Sequence, residues 1–479
     1  MYIIATDKIE KNLNTIVIAV DINRIKEVKK NYPEIANYID SECFDTNEKS
    51  RVSIPIIANG KKVNYKLITL KDEISKDELL DEFGKVAKEF TLDKVKSVFI
   101  DLSLSNFIYD TEKVLAALKG IAHGSYCFNK FLAEKKSIEP ESVAVYSGGK
   151  IDGEIFTRVN NINRSIKLAK EMVDEPANIM TPEKIAKVAE ESLKETNVEV
   201  KIFEKKEIEE IGMELFLNVA KGAENEPKLI VMRYMGNPES SEIIALVGKG
   251  LAYDTGGYSI KGTKYMKGMK SDMGGAAAVI GAMNLIASEN KNINVVGIVA
   301  TCENRISGGS YLPGDILKSM NGKTVEIEDT DAEGRLTLAD AITYAIRNEN
   351  ASKIVDICTL TGACVVALGE EYAGVVTKED ALWEKVEVAS LKSLDPCWRL
   401  PLNKNMVEKT KGKVADLKNV GGQPGCETAA AFVGEFTENL PWIHIDIAGT
   451  AMIENEKEYL REGATGFGVH LLGELVNIL

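Results

Sequence analysis

Histidine is nearly missing from this chain: His123, His444 and His470 are the only three in 479 residues. No HExxH occurs, so a zinc site built on a helical histidine pair is excluded. A Ser-His-Asp hydrolase would have to draw on one of these three, and no GxSxG accompanies them. Hard-acid chemistry with carboxylate ligands fits such a composition better. The phosphate-cradling patterns GxxxxGK[ST] and GxGxxG are absent from the glycine-rich loop described below. Seven cysteines (43, 127, 302, 358, 364, 397 and 426) are scattered without a CxxC pair. An odd, dispersed count suits reduced thiols in the cytosol. Cys358 and Cys364 read as core residues rather than as a structural zinc site. The N-terminus has neither a basic n-region nor a long apolar core, so it does not read as a signal peptide, and a cytoplasmic location is expected. The longest apolar stretch, around 354–376, is broken by Asp356, Glu370 and Glu371. It reads as buried strands, not a membrane span. Basic residues are outnumbered, 59 to 73, for a net charge of −14. That balance argues against nucleic acid as the main partner, since phosphate binding needs a basic surface.

What is present is the composition of an ordinary globular protein, 44% hydrophobic and 28% charged. The length predicts two domains or three, and the sequence pattern divides into two. Residues 1–160 mix strand-like runs (15–20, 97–102) with helical runs (73–91, 111–133) and carry no evident active-site motif. A helix is expected over 164–174. Another opens at Thr181-Pro182-Glu183, with threonine as the cap and proline at the first helical position. From 165 to 479 the pattern is strand, loop, helix. Buried strands are expected at 229–234, 243–247, 293–300, 354–359 and 442–447. Their near-continuous apolar character suits a mostly parallel central sheet covered by helices on both faces. The expected class is α/β, with a smaller N-terminal domain and a larger C-terminal catalytic one.

The most informative stretch is Asp329-Thr330-Asp331-Ala332-Glu333-Gly334-Arg335-Leu336. If its backbone is extended, Asp331, Glu333 and Arg335 share a face. Two carboxylates so close repel unless a proton or cation lies between them. A divalent metal answers that, and a fixed arginine beside it suits an anion. A hairpin turn at 320–323 and a strand at 324–327 precede the stretch, and a helix over 336–346 follows. The cluster thus lies at a strand-to-helix junction, where α/β proteins place their sites.

Two further blocks carry charge. Gly248-Lys249-Gly250-Leu251-Ala252-Tyr253-Asp254-Thr255-Gly256-Gly257-Tyr258-Ser259-Ile260-Lys261 follows the strand at 243–247. It brings Lys249, Asp254 and Lys261 into one loop. In Met269-Lys270-Ser271-Asp272-Met273-Gly274-Gly275, Asp272 reads as the cap of a helix whose small face packs closely on the sheet. Together the blocks supply four carboxylates and three cations, the makeup of a two-metal hydrolytic site.

These blocks resemble the leucyl aminopeptidase family, the cytosol aminopeptidases of peptidase family M17. Further matching segments are Pro313-Gly314-Asp315, Met320-Asn321-Gly322-Lys323-Thr324, Thr359-Leu360-Thr361-Gly362-Ala363, Thr428-Ala429-Ala430-Ala431-Phe432 and Asp446-Ile447-Ala448-Gly449-Thr450-Ala451. The likeness is strong over 165–479 and weak before it.

The resemblance implies a metallo-exopeptidase that releases N-terminal Leu or other apolar residues from peptides. Two divalent ions, Mn²⁺ or Zn²⁺, would sit roughly 3 to 4 Å apart and activate a bridging water. Asp254 and Glu333 would bridge them, Lys249 and Asp272 would complete the tighter site, and Asp331 the exchangeable one. Lys261 would stabilise the oxyanion, and Arg335 would hold a bicarbonate acting as general base. Met269, Thr359, Gly362, Ala448 and Ala451 would form the side-chain pocket, wide because Ala451 stands where some relatives carry Met. A homo-hexamer assembled through residues 1–160 is implied as well. One departure is Asp329, where the family signature has Asn. Two other readings stand beside it: a DNA-binding protein, disfavoured by the negative charge and the intact ligand set, and a Mg²⁺-dependent phosphohydrolase, which takes the Asp-rich motifs without the resemblance.

Overall fold

The computed structural model describes residues 1–11, 13–39, 51–58 and 60–479; Cys43 lies outside them. The chain divides into two compact units. One holds Met1–Arg164 with Asn455–Glu462, the other Ser165–Glu454 with Gly463–Leu479. The short segment at 455–462 therefore belongs with the N-terminal unit, a return that no local signal in the sequence announces.

In the first unit a six-stranded sheet runs in the order Tyr2–Thr6, Ser142–Tyr146, Ser97–Leu104, Thr15–Asp21, Lys61–Leu70, Arg51–Ala58. Only the last pairing is antiparallel. The strand Thr15–Asp21 is buried along its whole length, as its unbroken apolar run requires. Helix Lys76–Leu92 starts at a capping box in which Ser75 and Glu78 each satisfy the other's amide. The helix expected over 111–133 ends at Ser125. There the Ser125 hydroxyl donates back to the Ile121 carbonyl at 2.6 Å, directly after Gly124, and Tyr126 turns extended. Gly and Ser are weak helix formers, and together they stop it. The helix expected from 164 begins earlier, at Gly153, and runs to Asp174.

The second unit is built on an eight-stranded sheet. Its centre is four parallel strands in the order Trp442–Asp446, Lys353–Cys358, Ile244–Asp254, Asn294–Asn304. Lys228–Met235 and Glu199–Phe203 extend one edge antiparallel, and Ala373–Val376 joins the other. All five strands expected from apolar runs are present. The helix over Pro182–Leu193 is capped by Thr181 with Pro182 at its first position. Helices Gly274–Ser288 and Gly334–Glu349 pack on the central strands and are buried along most of their length.

Two details aim the site. The first is a bulge between strands Ile244–Asp254 and Asn294–Asn304, where the partner of Cys302 is Leu251 but that of Glu303 is Tyr253. The extra residue, Ala252, resets the alternation of faces. Lys249 and Asp254, of opposite parity, thereby serve one site. The second is Gly275, where an added Cβ would lie 2.1 Å from the Ile357 carbonyl oxygen and 2.9 Å from the Lys249 amide. Backbone meets backbone there, which brings Asp272 down onto the strand.

Candidate metal centre

The parallel strands deliver their C-terminal ends to one place, where α/β sheets collect their functional groups. Lys249 is buried, and its ammonium lies 2.8 Å from Asp272 Oδ1 and 3.0 Å from Glu333 Oε1. It also donates to the Thr359 carbonyl at 3.1 Å. Lys261 lies 2.8 Å from Asp254 Oδ2 and is paired as well with Asp331. Each ammonium therefore bridges two carboxylates. Ligand oxygens of Asp254, Asp272 and Glu333 all fall within 4.8 Å of one another. Asp331 stands at the exposed edge.

Electrostatics follow from that crowding. Burial, with Asp254 and Glu333 nearby, pushes Asp272 up to about 8 despite the pull of Lys249. Burial and the same two neighbours push Asp331 up to about 7. Glu333 is raised too, by burial and then by Asp254. Burial pulls the Lys249 ammonium down, but Asp272, Glu333 and Asp254 hold it well above the usual lysine range. Four carboxylates face two ammonium groups, and two buried oxygens, Asp272 Oδ2 and Glu333 Oε2, have no hydrogen-bond partner among the described residues. A buried acceptor without a donor is costly. Divalent cations with oxygen ligands suit both the surplus charge and the idle lone pairs. The residues present thus fit a metal pair.

The expectation of an extended 331–335 segment does not hold. Thr330 and Asp331 form a turn, Glu333 has helical angles, and Arg335 lies in the first turn of helix Gly334–Glu349. The two carboxylates converge because the chain turns and enters a helix, not because side chains alternate along a strand. Arg335 is directed elsewhere: its Nη1 donates to the Asn419 carbonyl at 2.7 Å, and its Nε is buried without a partner among the described residues. Burial lowers its pKa against the pull of Glu333, Asp329 and Asp446. A Cβ on Gly334 would lie 2.4 Å from Lys249 Cε, so any larger residue there must displace the lysine side chain.

Asp272 does not cap a helix. It follows a short 3-10 turn, Met269–Ser271, and helix Gly274–Ser288 starts after Met273. Its Oδ1 instead accepts from Lys249 and from the Thr359 hydroxyl at 2.8 Å. Thr359 therefore serves two purposes. Its methyl lies 3.2 Å, and the Ala451 methyl 3.1 Å, from where a Cβ on Gly274 would be. Thr359 and Ala451 are thus brought together over Gly274, with Met269 on the turn just before Asp272. Gly362 borders open space. The Ala448 amide donates to Asp446 Oδ1 at 3.0 Å.

Several residues that sequence reasoning passed over hold this site in shape. Asn304 donates to Asp254 Oδ1 at 2.8 Å and to the Thr330 carbonyl at 3.0 Å. Thr330 ties the two charged loops: its hydroxyl donates to the Gly256 carbonyl and accepts from the Ser259 amide. Asn419 accepts from the Glu328 amide at 2.8 Å and donates to the Asp329 carbonyl at 2.6 Å. Asp446 had appeared only as part of a matching segment; its carboxylate accepts from Leu360, Thr361 and Ala448. Charged residues flank Asn304, Thr330 and Asn419 in sequence, but a charged neighbour does not say which distant groups a neutral side chain will meet.

Known proteins resemble this chain over most of its length. The family model described as "Cytosol aminopeptidase family, catalytic domain" matches residues 167–473. A probable cytosol aminopeptidase of Clostridium perfringens (strain 13 / Type A) is 42% identical over 466 residues, 95% of this chain and 91% of the relative. Among solved structures, a mutant of tomato leucine aminopeptidase superposes with a TM-score of 0.87 at 31% identity, over 100% of this chain and 96% of that one. The bottromycin maturation enzyme BotP, in complex with Mn, shares the fold with a TM-score of 0.84 at 24% identity, over 97% and 99%. The chain belongs to the cytosol aminopeptidase family. It is a metallo-aminopeptidase, a hydrolase that acts at the N-termini of peptides.

Proposed function

We propose that the protein uses a pair of divalent ions, Mn²⁺ or Zn²⁺, to release N-terminal Leu and other apolar residues from peptides. The observation that carries this reading is the pairing of Lys249 and Lys261 each with two carboxylates, around buried oxygens that lack partners among the described residues. Asp254 and Glu333 would be shared by both ions, Lys249 and Asp272 would complete one site, and Asp331 the other. Lys249 must then give up its proton, which a nearby dication favours. When bound, such a pair supplies Lewis acidity and lowers the pKa of water towards neutrality.

The remaining work falls to the chain's own groups. Lys261, released from Asp254 and Asp331 by the added charge, presents an ammonium to the developing oxyanion of the scissile carbonyl. Arg335, whose buried Nε–H lacks a partner among the described residues, would hold a bicarbonate, which would supply general-base chemistry. Met269, Thr359, Gly362, Ala448 and Ala451 receive the first side chain. They offer methyls and little bulk, which suits Leu or Met. The reading extends to a homo-hexamer assembled through residues 1–160, a cytoplasmic location, and no role for nucleic acid or membrane. Among the described residues no helix is long and apolar enough to cross a membrane.

The test is release of p-nitroaniline from leucine p-nitroanilide by EDTA-stripped protein given Mn²⁺ or Zn²⁺. Activity should return with metal and be lost in Lys261→Ala and Glu333→Ala. A folded protein inactive with every metal and apolar substrate would overturn it.

A further inference from the structure

The second unit holds another group of ligand-type side chains, apart from the four carboxylates. Cys364, Cys426 and Asp446 are buried, and their sulfur and oxygen atoms all lie within 4.8 Å of one another. Cys364 Sγ is 3.6 Å from the Asp446 carbonyl oxygen, and Cys426 Sγ is 3.6 Å from Asp446 Oδ2. Three elements bring them together. Cys364 lies on helix Gly362–Leu368, Cys426 opens helix Gly425–Gly434, and Asp446 ends strand Trp442–Asp446. The two helices touch closely, since a Cβ on Gly425 would lie 2.9 Å from that of Ala363.

Two sulfurs and one carboxylate oxygen suit a borderline or soft d¹⁰ cation, not Mg²⁺ or Ca²⁺. The same carboxylate braces both sides of the proposed side-chain pocket. Its Oδ1 accepts from the Leu360 amide at 3.1 Å and the Ala448 amide at 3.0 Å, and its Oδ2 from the Thr361 hydroxyl at 2.7 Å. Access is not obstructed by a large core. Cys364 is the one buried residue of its helix, and Val366 two residues on is 89% exposed. A seven-residue helix that is mostly exposed opens at less cost than one buried in the core.

We propose that Cys364, Cys426 and Asp446 form a second, regulatory site for a thiophilic divalent cation of the Zn²⁺ or Cd²⁺ kind. Binding releases the two thiol protons to solvent and forms two metal–sulfur bonds. Asp446 exchanges the Thr361 hydroxyl for the cation, so the 359–362 wall loosens and substrate affinity falls. Contact with Cys364, burial and Asp446 all hold the Cys426 thiol protonated, so occupation requires excess cation and not trace amounts. The link to affinity rests on the functional reading above; the cation site does not.

The experiment is a Cd²⁺ titration of the Mn²⁺-loaded protein, followed by the ultraviolet charge-transfer band of cadmium thiolate and by kinetics on leucine p-nitroanilide. The wild type should develop the band, and its KM should rise several-fold with a smaller change in kcat. Cys364→Ser and Cys426→Ser should lose both responses while keeping basal activity; Cys426→Ala replaces the serine variant if that folds poorly. Inhibition equal in wild type and variants would place Cd²⁺ at the carboxylate centre and overturn the proposal. So would a band that survives in both variants, or none in folded wild type. An inactive protein that still shows the variant-sensitive band would count against the peptidase reading alone.

Discussion

The backbone carbonyl of Asn419 accepts a hydrogen bond from Arg335 Nη1 at 2.7 Å, across 84 residues of sequence. The Asn419 side chain meanwhile grips the other end of the same loop, at the Glu328 amide and the Asp329 carbonyl. One buried asparagine thus fixes both the turn that carries Asp331 and the arginine beyond it. Asn419→Ala leaves those loop groups without partners, at about 1–3 kcal/mol for a buried group. A lower denaturation midpoint together with a loss of kcat of at least ten-fold is expected. Unchanged kinetics would show that the loop holds its shape without the clamp.

Gly334→Ala places a methyl where Lys249 Cε now lies. Lys249 cannot keep its contacts with Asp272 and Glu333, so metal retention should fall with activity while circular dichroism stays near wild type. The check is metal content after dialysis. Full retention would mean that Lys249 is not a ligand.

Asp329 has a structural duty that asparagine shares: its Oδ1 accepts from the Asp331 amide at 2.8 Å. Asp329→Asn therefore preserves the turn and removes only a charge close to Arg335 and the metal centre. Altered preference among Mn²⁺, Zn²⁺ and Co²⁺ is expected, with activity retained. Identical metal dependence in both proteins would refute a tuning role.

Ala451 and Thr359 place methyls over Gly274. Ala451→Met fills that space, so kcat/KM should fall for N-terminal Leu relative to Ala. A loss or gain of one methylene in such a pocket changes discrimination by about 10- to 200-fold. Equal effects on both substrates would place the pocket elsewhere.

Asp340 is buried and accepts from the Met320 and Phe216 amides. Burial nonetheless outweighs these bonds and pushes it up to about 7. The folded state then keeps a proton that the unfolded chain releases near the ordinary aspartate value. Its contribution to stability is fully present below that value and declines as pH rises towards 7, by up to about 1.4 kcal/mol per pH unit. Asp340→Asn removes the slope. The stability advantage of wild type over the variant, measured by denaturant on EDTA-stripped protein, should narrow from pH 4.5 to 7. Other titrating groups cancel in the comparison, and a constant difference would show that Asp340 ionises normally.

Much of the fold was legible beforehand for one reason: strands buried on both faces must be apolar throughout. The stretches 229–234, 293–300 and 442–447 therefore declared themselves. The helix ending at Ser125 was overextended because apolar and charged residues continue past a Gly-Ser break that is weak in isolation. Metal-type carboxylates were legible because charge at strand and helix ends is conspicuous. Their supporting residues were not, because Asn304, Thr330, Asn419 and Asp446 are ordinary until their partners from distant segments arrive.

The sequence by itself determined the α/β class, the charged blocks and the kind of chemistry they permit, since composition and spacing depend only on local order. Tertiary structure alone decided that Asp331 and Glu333 meet through a turn and a helix start, and that Arg335 faces Asn419. It also decided that the Ala252 bulge gives Lys249 and Asp254 one face, and that Cys364 meets Cys426. Each of these depends on how segments far apart in the chain approach, and contacts at such separations are fixed by packing and not by local preference.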